Sequence, residues 1–422
     1  MKQTRYETLG ETLYTGQLDS GLLVYAIPKP KFETKYAFFA TNYGGADRRF
    51  QLEGKWHDSP AGVAHFLEHK LFDTKDGNAL ADLAAGGAQP NAFTSAEMTG
   101  YYFECTHGFE KNLKTLLDFV SVPYFTEESV AKEQGIIGQE IGMAEDYPAY
   151  KVYYNLLRAL YGTHPVRDMI VGTVESIAQI QAQTLYDLHR VFYRPSNMVL
   201  CVTGDVDPQR VWEIAGEMLS GPLEEVPKKD YGPEDEIPVI QARTEAFMPV
   251  SQPMFFAGTR VPAKEGGRAY LQSELTGSLA ALYLAGRASP LYMRLYSEGL
   301  ILSDFSCGFF RGQSHAFTEF GGESRDPDRV LEEIKAEVER TLEAGIDQAR
   351  FTPLKKAYFG KLIRGLDSPE SLCYDQAGAH FHGTCALDRL AVLGAITPDD
   401  VFQFIQQNLG PDQFALSIVR PK

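Results

Sequence analysis

A chain of 422 residues is too long for one compact core and suits two domains of roughly 200 residues each. Its residues are 44% hydrophobic and 23% charged, a composition that excludes general disorder and can bury a large core. The 40 Lys and Arg residues against 56 Asp and Glu give a formal net charge of −16, which argues against nucleic acid and anionic membrane as partners.

The sequence carries no sign of export or of a disulfide framework. Its first segment, MKQTRYETLG, has no apolar run of signal-peptide type, and no stretch of about 18 apolar residues is present. We therefore expect a cytoplasmic protein without a membrane span. Reduced, mostly buried thiols are expected, because the cysteines are odd in number and no CxxC pair occurs among them: Cys105, Cys201, Cys307, Cys373 and Cys385.

In chain order, the first predicted elements are the strands GLLVYAIPKP and KYAFFATNYGG, expected to form a hairpin that enters a sheet. A helix follows the segment HDSP, because apolar residues recur at helical spacing from Val63 to Leu71. Ser59 or Asp58 is its expected cap, and Pro60 fits its first position. The strand-like segment NAFTSAEMTGYYFEC comes next.

A further helix is predicted to begin at Thr126, since Glu127 and Glu128 would then lie near the positive end of its dipole. Later helices are predicted at about 150–160 and 180–193. The segment MVLCVTGDVDP then reads as a buried strand that leaves through a turn.

Residues 221–238 are rich in proline, glycine and charge and predict a linker. The predicted domains are residues 1–220, which carry the histidine motif discussed below, and residues 239–422, which have a similar fold but no such motif.

The second half repeats features of the first. MFFAG at 254–258 resembles AFFAT at 37–41, and both halves close on a helix, a proline and a strand. Helices are also expected near 328–345 and 353–366. These patterns predict an α+β fold of two duplicated domains, each a largely antiparallel sheet packed with helices.

The segment HFLEH carries the candidate chemistry. His65 and His69 lie at i and i+4 on the predicted helix, one turn apart, where two imidazoles can bind one zinc ion. Glu68 shares this face and can accept a proton from a water on the metal without being a ligand. Two histidines at this spacing also occur by chance, but three polar groups beside an apolar stripe are costly to bury without a shared partner. The HxxEH order is that of inverted zinc peptidases.

A third protein ligand must come from elsewhere. The helix from Thr126 offers Glu133 and Glu140 on nearly one face, with backbones about 10 Å apart along the helix, so one can bind the metal while the other supports a histidine. The residues alone leave this choice open. His380 and His382 are spaced for neither one helix face nor a zinc site, and we expect surface or structural roles for them.

HFLEH followed by KEQGIIGQEIGM resembles the pitrilysin/insulinase peptidases, the inverzincins that include the mitochondrial processing peptidases. NAFTSAEMTGYYF is similar to the active-site edge strand of that family, and YRPSNMVLCVTGDVDP to the close of its first domain. The resemblance covers most of residues 20–210.

Carried over position by position, the resemblance assigns five residues to a site with one zinc ion per chain: His65, His69 and Glu140 as ligands, Glu68 as general base and Glu133 as the companion of a ligand. It also implies that Asn91 and Ala92 on the edge strand align the substrate by backbone pairing. A short member of the family is expected to pair with a second chain, as a homodimer or as a heterodimer with a related chain, and to close a chamber around a peptide.

The second half departs from the family pattern within residues 291–306. Family members commonly carry an Arg and a Tyr there that hold substrate and stabilise the oxyanion. This chain has Tyr296 at the Arg position, Leu302 or Ser303 at the Tyr position, and Arg294 near but not at the matching place. Either a partner chain supplies these groups or the chain cleaves peptides slowly, because losing one oxyanion donor typically costs about 100- to 1,000-fold in rate.

The expected function is that of a zinc-dependent endopeptidase that hydrolyses peptides or short unfolded polypeptides, with Glu68 activating zinc-bound water. The alternative is a non-proteolytic or weakly active peptide-binding or assembly subunit of a two-chain complex. The intact HFLEH segment favours the enzyme, and the acidic balance of the chain favours basic peptides.

Overall fold

The computed structural model describes residues 1–233, 239–263 and 266–422. The strands are β1 (Lys2–Tyr6), β2 (Glu11–Gln17), β3 (Leu23–Pro28), β4 (Lys35–Thr41), β5 (Arg49–Leu52), β6 (Lys55–Asp58), β7 (Asp73–Thr74), β8 (Gly77–Asn78), β9 (Ala88–Thr94), β10 (Thr99–Cys105), β11 (Met198–Gly204), β12 (Lys229–Asp230), β13 (Arg243–Met248), β14 (Met254–Thr259), β15 (Ser306–Arg311), β16 (Ala316–Glu323) and β17 (Phe414–Pro421). The helices are α1 (Val63–Leu71), α2 (Ala79–Ala85), α3 (Phe109–Ser121), α4 (Glu127–Glu145), α5 (Pro148–Leu160), α6 (Val174–Ile177), α7 (Ala182–Phe192), α8 (Pro208–Met218), α9 (Arg268–Ala285), α10 (Pro290–Ser297), α11 (Pro327–Ala344), α12 (Gln348–Gly365), α13 (Pro369–Phe381), α14 (Arg389–Ala395) and α15 (Pro398–Asn408). Within the described ranges, every helix is too short or too polar to cross a lipid bilayer.

Two large sheets dominate the fold, one in each half of the chain. The first has the order β1-β2-β3-β11-β4-β10-β9 and the second the order β13-β17-β14-β16-β15. The five strands from β3 to β9 match the second sheet in order and direction, including the parallel pairs β3 with β11 and β13 with β17. The remaining neighbours within both sheets are antiparallel, so the predicted α+β fold with two duplicated sheets is confirmed.

The predicted hairpin between the first two strands is wrong. β11 lies between β3 and β4, parallel to the first and antiparallel to the second. All seven residues of β11 are buried, and an apolar strand of this kind belongs at the centre of a sheet, where it is covered on both sides.

Each sheet is covered on one face by a helix from the other half of the chain. α5 packs across β13, β14 and β17 of the second sheet, where Leu156 and Ala415 share a buried cluster. α13 packs on β4 and β11 of the first sheet, where Cys373 lies in one cluster with Phe38. Burying a leucine or phenylalanine side chain contributes about 1.5–3 kcal/mol, so the two halves stabilise each other.

Part of the predicted linker is bound to the first half. β12 pairs with β5, the Lys229 ammonium lies 2.9 Å from a carboxylate oxygen of Asp47, and the Tyr231 hydroxyl donates to the other oxygen at 2.7 Å. Residues 234–238 of the predicted linker lie outside the described residues. The division of the chain into two domains on either side of 221–238 stays a prediction.

The start of α1 is set by a glycine. Gly62 adopts a φ of 88°, and a Cβ at this position would lie 2.6 Å from the carbonyl oxygen of Val171. The predicted side-chain cap is therefore wrong. Ser59 donates its hydroxyl to a backbone carbonyl at 3.0 Å, and Asp58 belongs to β6.

The predicted start of α4 is confirmed. Thr126 accepts a hydrogen bond from the Ser129 amide at 3.1 Å, and the Ser129 hydroxyl accepts one from the Thr126 amide at 3.3 Å, which completes a reciprocal cap. The helix then runs for 19 residues and packs against α1, so it can carry widely spaced side chains past one site.

A polar seam joins the two halves beside the β9–β10 loop. Glu97 of that loop accepts a hydrogen bond from the Gln313 amide at 2.5 Å. The same carboxylate lies 3.4 Å from His315 Nδ1 and 3.8 Å from His382 Nε2. Burial alone would raise the pKa of Glu97, but the hydrogen bond and charge of His315, helped by His382 and the Gln313 amide, lower it to about 2.

Replacing Glu97 by Gln should reduce the acid sensitivity of the fold. Because the folded-state pKa lies below the ordinary value of 4.5, the carboxylate stabilises the protein above pH 4.5 and loses this contribution as the pH falls toward 2. We expect Glu97→Gln to lower the free energy of unfolding above pH 4.5 by about 1–3 kcal/mol and to flatten its decline in acid. Urea titrations on either side of pH 4.5 measure this.

Glu339→Gln is the matched control, because Glu339 is an exposed carboxylate on α11. Equal unfolding curves for the Glu97 and Glu339 variants at every pH would contradict a stabilising role for the Glu97 carboxylate.

Candidate metal centre

α1 presents three polar side chains toward the interior. His65 and Glu68 are buried, and His69 follows one helical turn after His65, with the two ring centroids 4.5 Å apart. The helix is held in this position by its apolar residues, Val63, Phe66, Leu67 and Leu71, which belong to the large core of the first half. The predicted pair of imidazoles therefore lies on one face and shares it with the glutamate.

α4 brings two glutamates to these rings from the opposite side. One Glu140 oxygen lies 3.6 Å from His65 Nε2 and the other lies 3.8 Å from His69 Nε2. Glu133 contacts the other nitrogen of the second ring, with His69 Nδ1 3.0 Å from its carboxylate. The two candidates for third ligand thus occupy different places, Glu140 between the two Nε2 atoms and Glu133 behind one ring.

The three converging groups fit a small metal ion. Within the described part of the chain, His65, His69 and Glu140 form the group whose ligand atoms lie within 4.8 Å of one another. Zinc bonds of about 2.0–2.1 Å in tetrahedral geometry place neighbouring ligand atoms roughly 3.3–3.4 Å apart. The observed gaps of 3.6 and 3.8 Å are longer than hydrogen bonds and close to that spacing.

The two imidazoles differ in protonation behaviour. Burial, helped by the neighbouring His69, lowers the pKa of His65 to about 3, so the ring is neutral near pH 7 and has a lone pair to offer. Burial would also lower the pKa of His69, but its hydrogen bond with Glu133 and the nearby carboxylates outweigh that effect and raise it. When His69 Nδ1 donates to Glu133, its Nε2 is directed toward Glu140.

Glu133 is itself fixed by a buried lysine. Lys70, fully buried on α1, lies 3.8 Å from the second oxygen of Glu133 and forms a close ion pair with Asp73. The Glu133 carboxylate is therefore placed between an ammonium and an imidazole, which holds His69 in one orientation.

Glu68 stands beside the three groups without belonging to them. One of its oxygens accepts a hydrogen bond from the Thr94 hydroxyl at 2.7 Å. Burial raises the pKa of Glu68, although the hydrogen bond from Thr94 opposes this shift. A carboxylate in this position can accept a proton from a water near the candidate metal position.

The edge strand β9 leads to the same place. It pairs with β10 and ends the order of the first sheet, and its last residue, Thr94, is the one that contacts Glu68. Asn91 is exposed, and its side-chain oxygen accepts a hydrogen bond from the Ala92 amide at 2.9 Å. The Ala92 amide is thus engaged by a side chain at the edge of the sheet.

The structure does not bring residues 291–306 into this cluster. Arg294 donates to Glu333 at 2.7 Å, and Tyr296, 51% exposed, stacks on Tyr292. The backbone carbonyl of Ser303 accepts a hydrogen bond from the Arg287 guanidinium. These contacts all lie within the second half, where Leu302 is exposed.

Two residues of the site, Thr94 and Lys70, are not predicted from the sequence. Thr94 lies in the predicted strand segment, and Lys70 comes directly after HFLEH. The position of neither residue in the sequence predicts its contact with Glu68 or Glu133.

His380 and His382 lie outside the metal cluster. His380 Nδ1 is 3.3 Å from the hydroxyl of Tyr25, and His382 lies in the polar seam beside Glu97.

Family models match both halves of the chain. The model described as insulinase (peptidase family M16) matches residues 53–174, and the model described as peptidase M16 inactive domain matches residues 179–358. The protein YmfH of Bacillus subtilis, described as an uncharacterized zinc protease, is 38% identical over 435 aligned residues that span 100% of each chain. The chain belongs to the insulinase family, peptidase family M16.

Solved structures agree with this membership. An M16-like protein from Alicyclobacillus acidocaldarius superposes with a TM-score of 0.94 at 34% identity, over 98% of this chain and 99% of that one. Pitrilysin gives a TM-score of 0.76 at 17% identity, which shows the fold alone; the match covers 100% of this chain and 46% of pitrilysin.

Zinc affinity should separate the roles of the two glutamates on α4. We expect Glu140→Gln to abolish tight zinc binding, because it removes a charged group from the cluster, and Glu133→Gln to weaken binding by roughly 10- to 100-fold. Competition with a chelator measures both. Glu128→Gln, an exposed change in the first turn of the same helix, should leave the affinity unchanged. Equal losses for the Glu133 and Glu140 variants would contradict this division of roles.

Proposed function

We propose that the chain is a zinc-dependent endopeptidase that hydrolyses peptides or short unfolded polypeptides. The observation that carries the proposal is the convergence of two imidazole nitrogens and the Glu140 carboxylate beside the buried Glu68. The description of YmfH as a zinc protease supports it. We assign one zinc ion per chain to His65, His69 and Glu140, with Glu133 as the residue that orients His69.

When bound, a zinc ion supplies a Lewis acid that polarises a carbonyl and lowers the pKa of a water. The protein supplies the proton transfer. Glu68 takes a proton from the attacking water and returns it to the leaving amine, and the burial that raises its pKa brings the carboxyl closer to neutral pH, where both transfers are efficient. Thr94 donates to one oxygen of Glu68, and we assign the proton transfer to the other.

The substrate is proposed to bind along β9. An extended peptide can add to the free edge of the first sheet through backbone hydrogen bonds, which requires no particular side chains. Asn91 and Ala92 are the proposed contact residues. The hydrogen bond between them satisfies the Ala92 amide in the absence of a peptide, so a bound strand would replace the Asn91 side chain as its partner.

We infer a cytoplasmic protein of two domains, residues 1–220 and 239–422, that pairs with a second copy or with a related chain to enclose the peptide. The match to 46% of pitrilysin supports pairing, because a single chain of that protein is about twice as long.

A second candidate function is a peptide-binding or assembly subunit with little activity. It is favoured by the segment 291–306, where Arg294 is bound to Glu333 and the expected substrate-holding pair is missing. Zinc-loaded protein that binds peptides but releases no products, with or without a partner chain, would support this candidate.

Replacing Glu68 by Gln should abolish cleavage while leaving zinc in place. The amide keeps the size of the side chain but cannot accept the proton, so kcat/KM should fall by about 100- to 10,000-fold. A peptide-library digest followed by mass spectrometry measures the loss, and zinc analysis of the same samples checks the metal. Undiminished cleavage by Glu68→Gln would exclude Glu68 as the base.

The hydroxyl of Thr94 should matter for the same step. Thr94→Val removes the hydrogen bond to Glu68 at nearly constant volume, and a hydrogen bond to a charged group contributes about 1.5–3 kcal/mol, so kcat should fall roughly 10- to 100-fold. Thr94→Ser keeps the hydroxyl and should retain most of the rate. Similar rates for the Val and Ser variants would show that Thr94 does not orient the base.

A further inference from the structure

α12 differs in charge from the rest of the chain. Its 18 residues, QARFTPLKKAYFGKLIRG, contain no carboxylate, whereas the whole chain has a net charge of −16. Only Phe351 and Tyr358 of this helix are fully buried. The helix carries five cations, Arg350, Lys355, Lys356, Lys361 and Arg364.

One face of α12 borders a groove of about 680 Å³, with the end of α9 and the loop to α10 on the other side. The groove has an apolar floor that includes Leu282, Pro353 and Leu354, and a volume within the usual range for a ligand site. Among the described residues that line it, four are cations and none is a carboxylate: Arg287, Arg350, Lys361 and Arg364.

The cations of the groove are held in place largely by aromatic rings and carbonyl groups. Arg350 lies 4.3 Å from the ring centroid of Tyr283, with Glu337 3.8 Å away, and Arg287 donates to the backbone carbonyl of Ser303 at 2.8 Å. Lys361 lies 6.0 Å from the Tyr358 ring. Contacts of this kind position a cation without neutralising it, so the groove keeps a positive field.

Acids near the groove are engaged by other residues. Asp375 feels the charge of Lys361, but its carboxylate is 3.1 Å from Arg389. Glu337 forms a closer ion pair with Arg340, at 2.9 Å, than with Arg350. These two acids, within the described part of the chain, therefore leave positive charge at the rim that carboxylates from another molecule can meet.

We propose that this groove binds an acidic segment of another polypeptide, one that combines carboxylates with apolar side chains. The carboxylates would pair with Arg287, Lys361 and Arg364, and the apolar side chains would cover Leu282 and Leu354. An extended or helical segment of this composition matches both the charge and the apolar floor.

Other partners fit the groove less well. A bilayer surface is flat and cannot reach the floor of a groove, and the net charge of −16 repels anionic lipid at long range. Nucleic acid would meet the same repulsion and has no apolar groups to place along Leu282 and Leu354. The inference does not rest on the peptidase proposal, because it concerns binding at α12 and not cleavage.

The test uses full-length zinc-loaded protein with the Glu68→Gln change, so that bound peptides stay intact. Fluorescence anisotropy compares three labelled peptides of one length, an alternating Glu–Leu peptide and its Gln–Leu and Lys–Leu counterparts. We expect the Glu–Leu peptide to bind at least 10-fold more tightly than the other two. Binding should weaken as salt is raised.

Charge reversal locates the site. The double variant Lys361→Glu, Arg364→Glu should bind the Glu–Leu peptide at least 10-fold more weakly and the Lys–Leu peptide more tightly. Lys356→Glu is the matched control, an exposed cation on the same helix that does not line the groove, and it should bind as the unaltered protein does. Circular dichroism and zinc content verify that each variant is folded.

Four results would overturn the inference: equal affinity for the three peptides, unaltered Glu–Leu binding by the double variant, an equal loss with Lys356→Glu, or binding of vesicles rich in anionic lipid in place of the peptide. These results differ from those expected if only the peptidase proposal is wrong. In that case the protein without the Glu68 change would bind the Glu–Leu peptide normally and cleave no substrate.

Discussion

The burial of polar side chains on α1 constrains everything around the site. His65, Glu68 and Lys70 all lie in the interior. An unpartnered polar group there costs about 1–3 kcal/mol and an unpaired charge costs more. Two carboxylates of α4 meet these groups. Glu133 lies 3.8 Å from Lys70, whose closer ion pair is with Asp73, and it also contacts the Nδ1 of His69. Glu140 lies opposite the two Nε2 atoms. The two helices thus supply complementary polar groups to each other, and three of their side chains converge at a spacing that suits a zinc ion.

Duplication gave the chain two similar sheets, but in the described residues such a set of candidate ligands is found in the first half alone. α1 follows β4 in the first half, and α9 follows β14 at the corresponding place in the second. α9 contains no histidine, and its glutamate, Glu274, is paired with Arg389 at 2.5 Å. The second half instead contributes a covering helix for the first sheet and the seam around Glu97, three residues beyond Thr94. Its part at the site is therefore one of support.

Sequence patterns correctly predicted the structural features that depend on neighbouring residues. The helical spacing of HFLEH and the cap at Thr126 need only neighbouring residues, and both are confirmed. The assignment of Glu140 rather than Glu133 needed the family resemblance, because position on the helix leaves the choice open and only the packing of α4 on α1 decides which carboxylate faces Nε2.

Most of the wrong or missing predictions concern contacts between distant segments of the chain. The insertion of β11 between β3 and β4, and the loop near Val171 that requires Gly62, both involve residues more than a hundred positions away. The contact of Thr94 with Glu68 joins a strand to a helix 26 residues earlier. One error is local: α12 begins at Gln348 rather than at 353, because Asp347 caps it through the Ala349 amide and Pro353 is accommodated inside the helix.

The measurement that tests the central claim most directly is X-ray diffraction from crystals of untagged protein, recorded on both sides of the zinc absorption edge. The account predicts one anomalous peak per chain, bounded by His65 Nε2, His69 Nε2 and the Glu140 carboxylate, with Glu133 still bound to the Nδ1 of His69. The absence of a zinc peak, or a peak held by Glu133 and not Glu140, would contradict it.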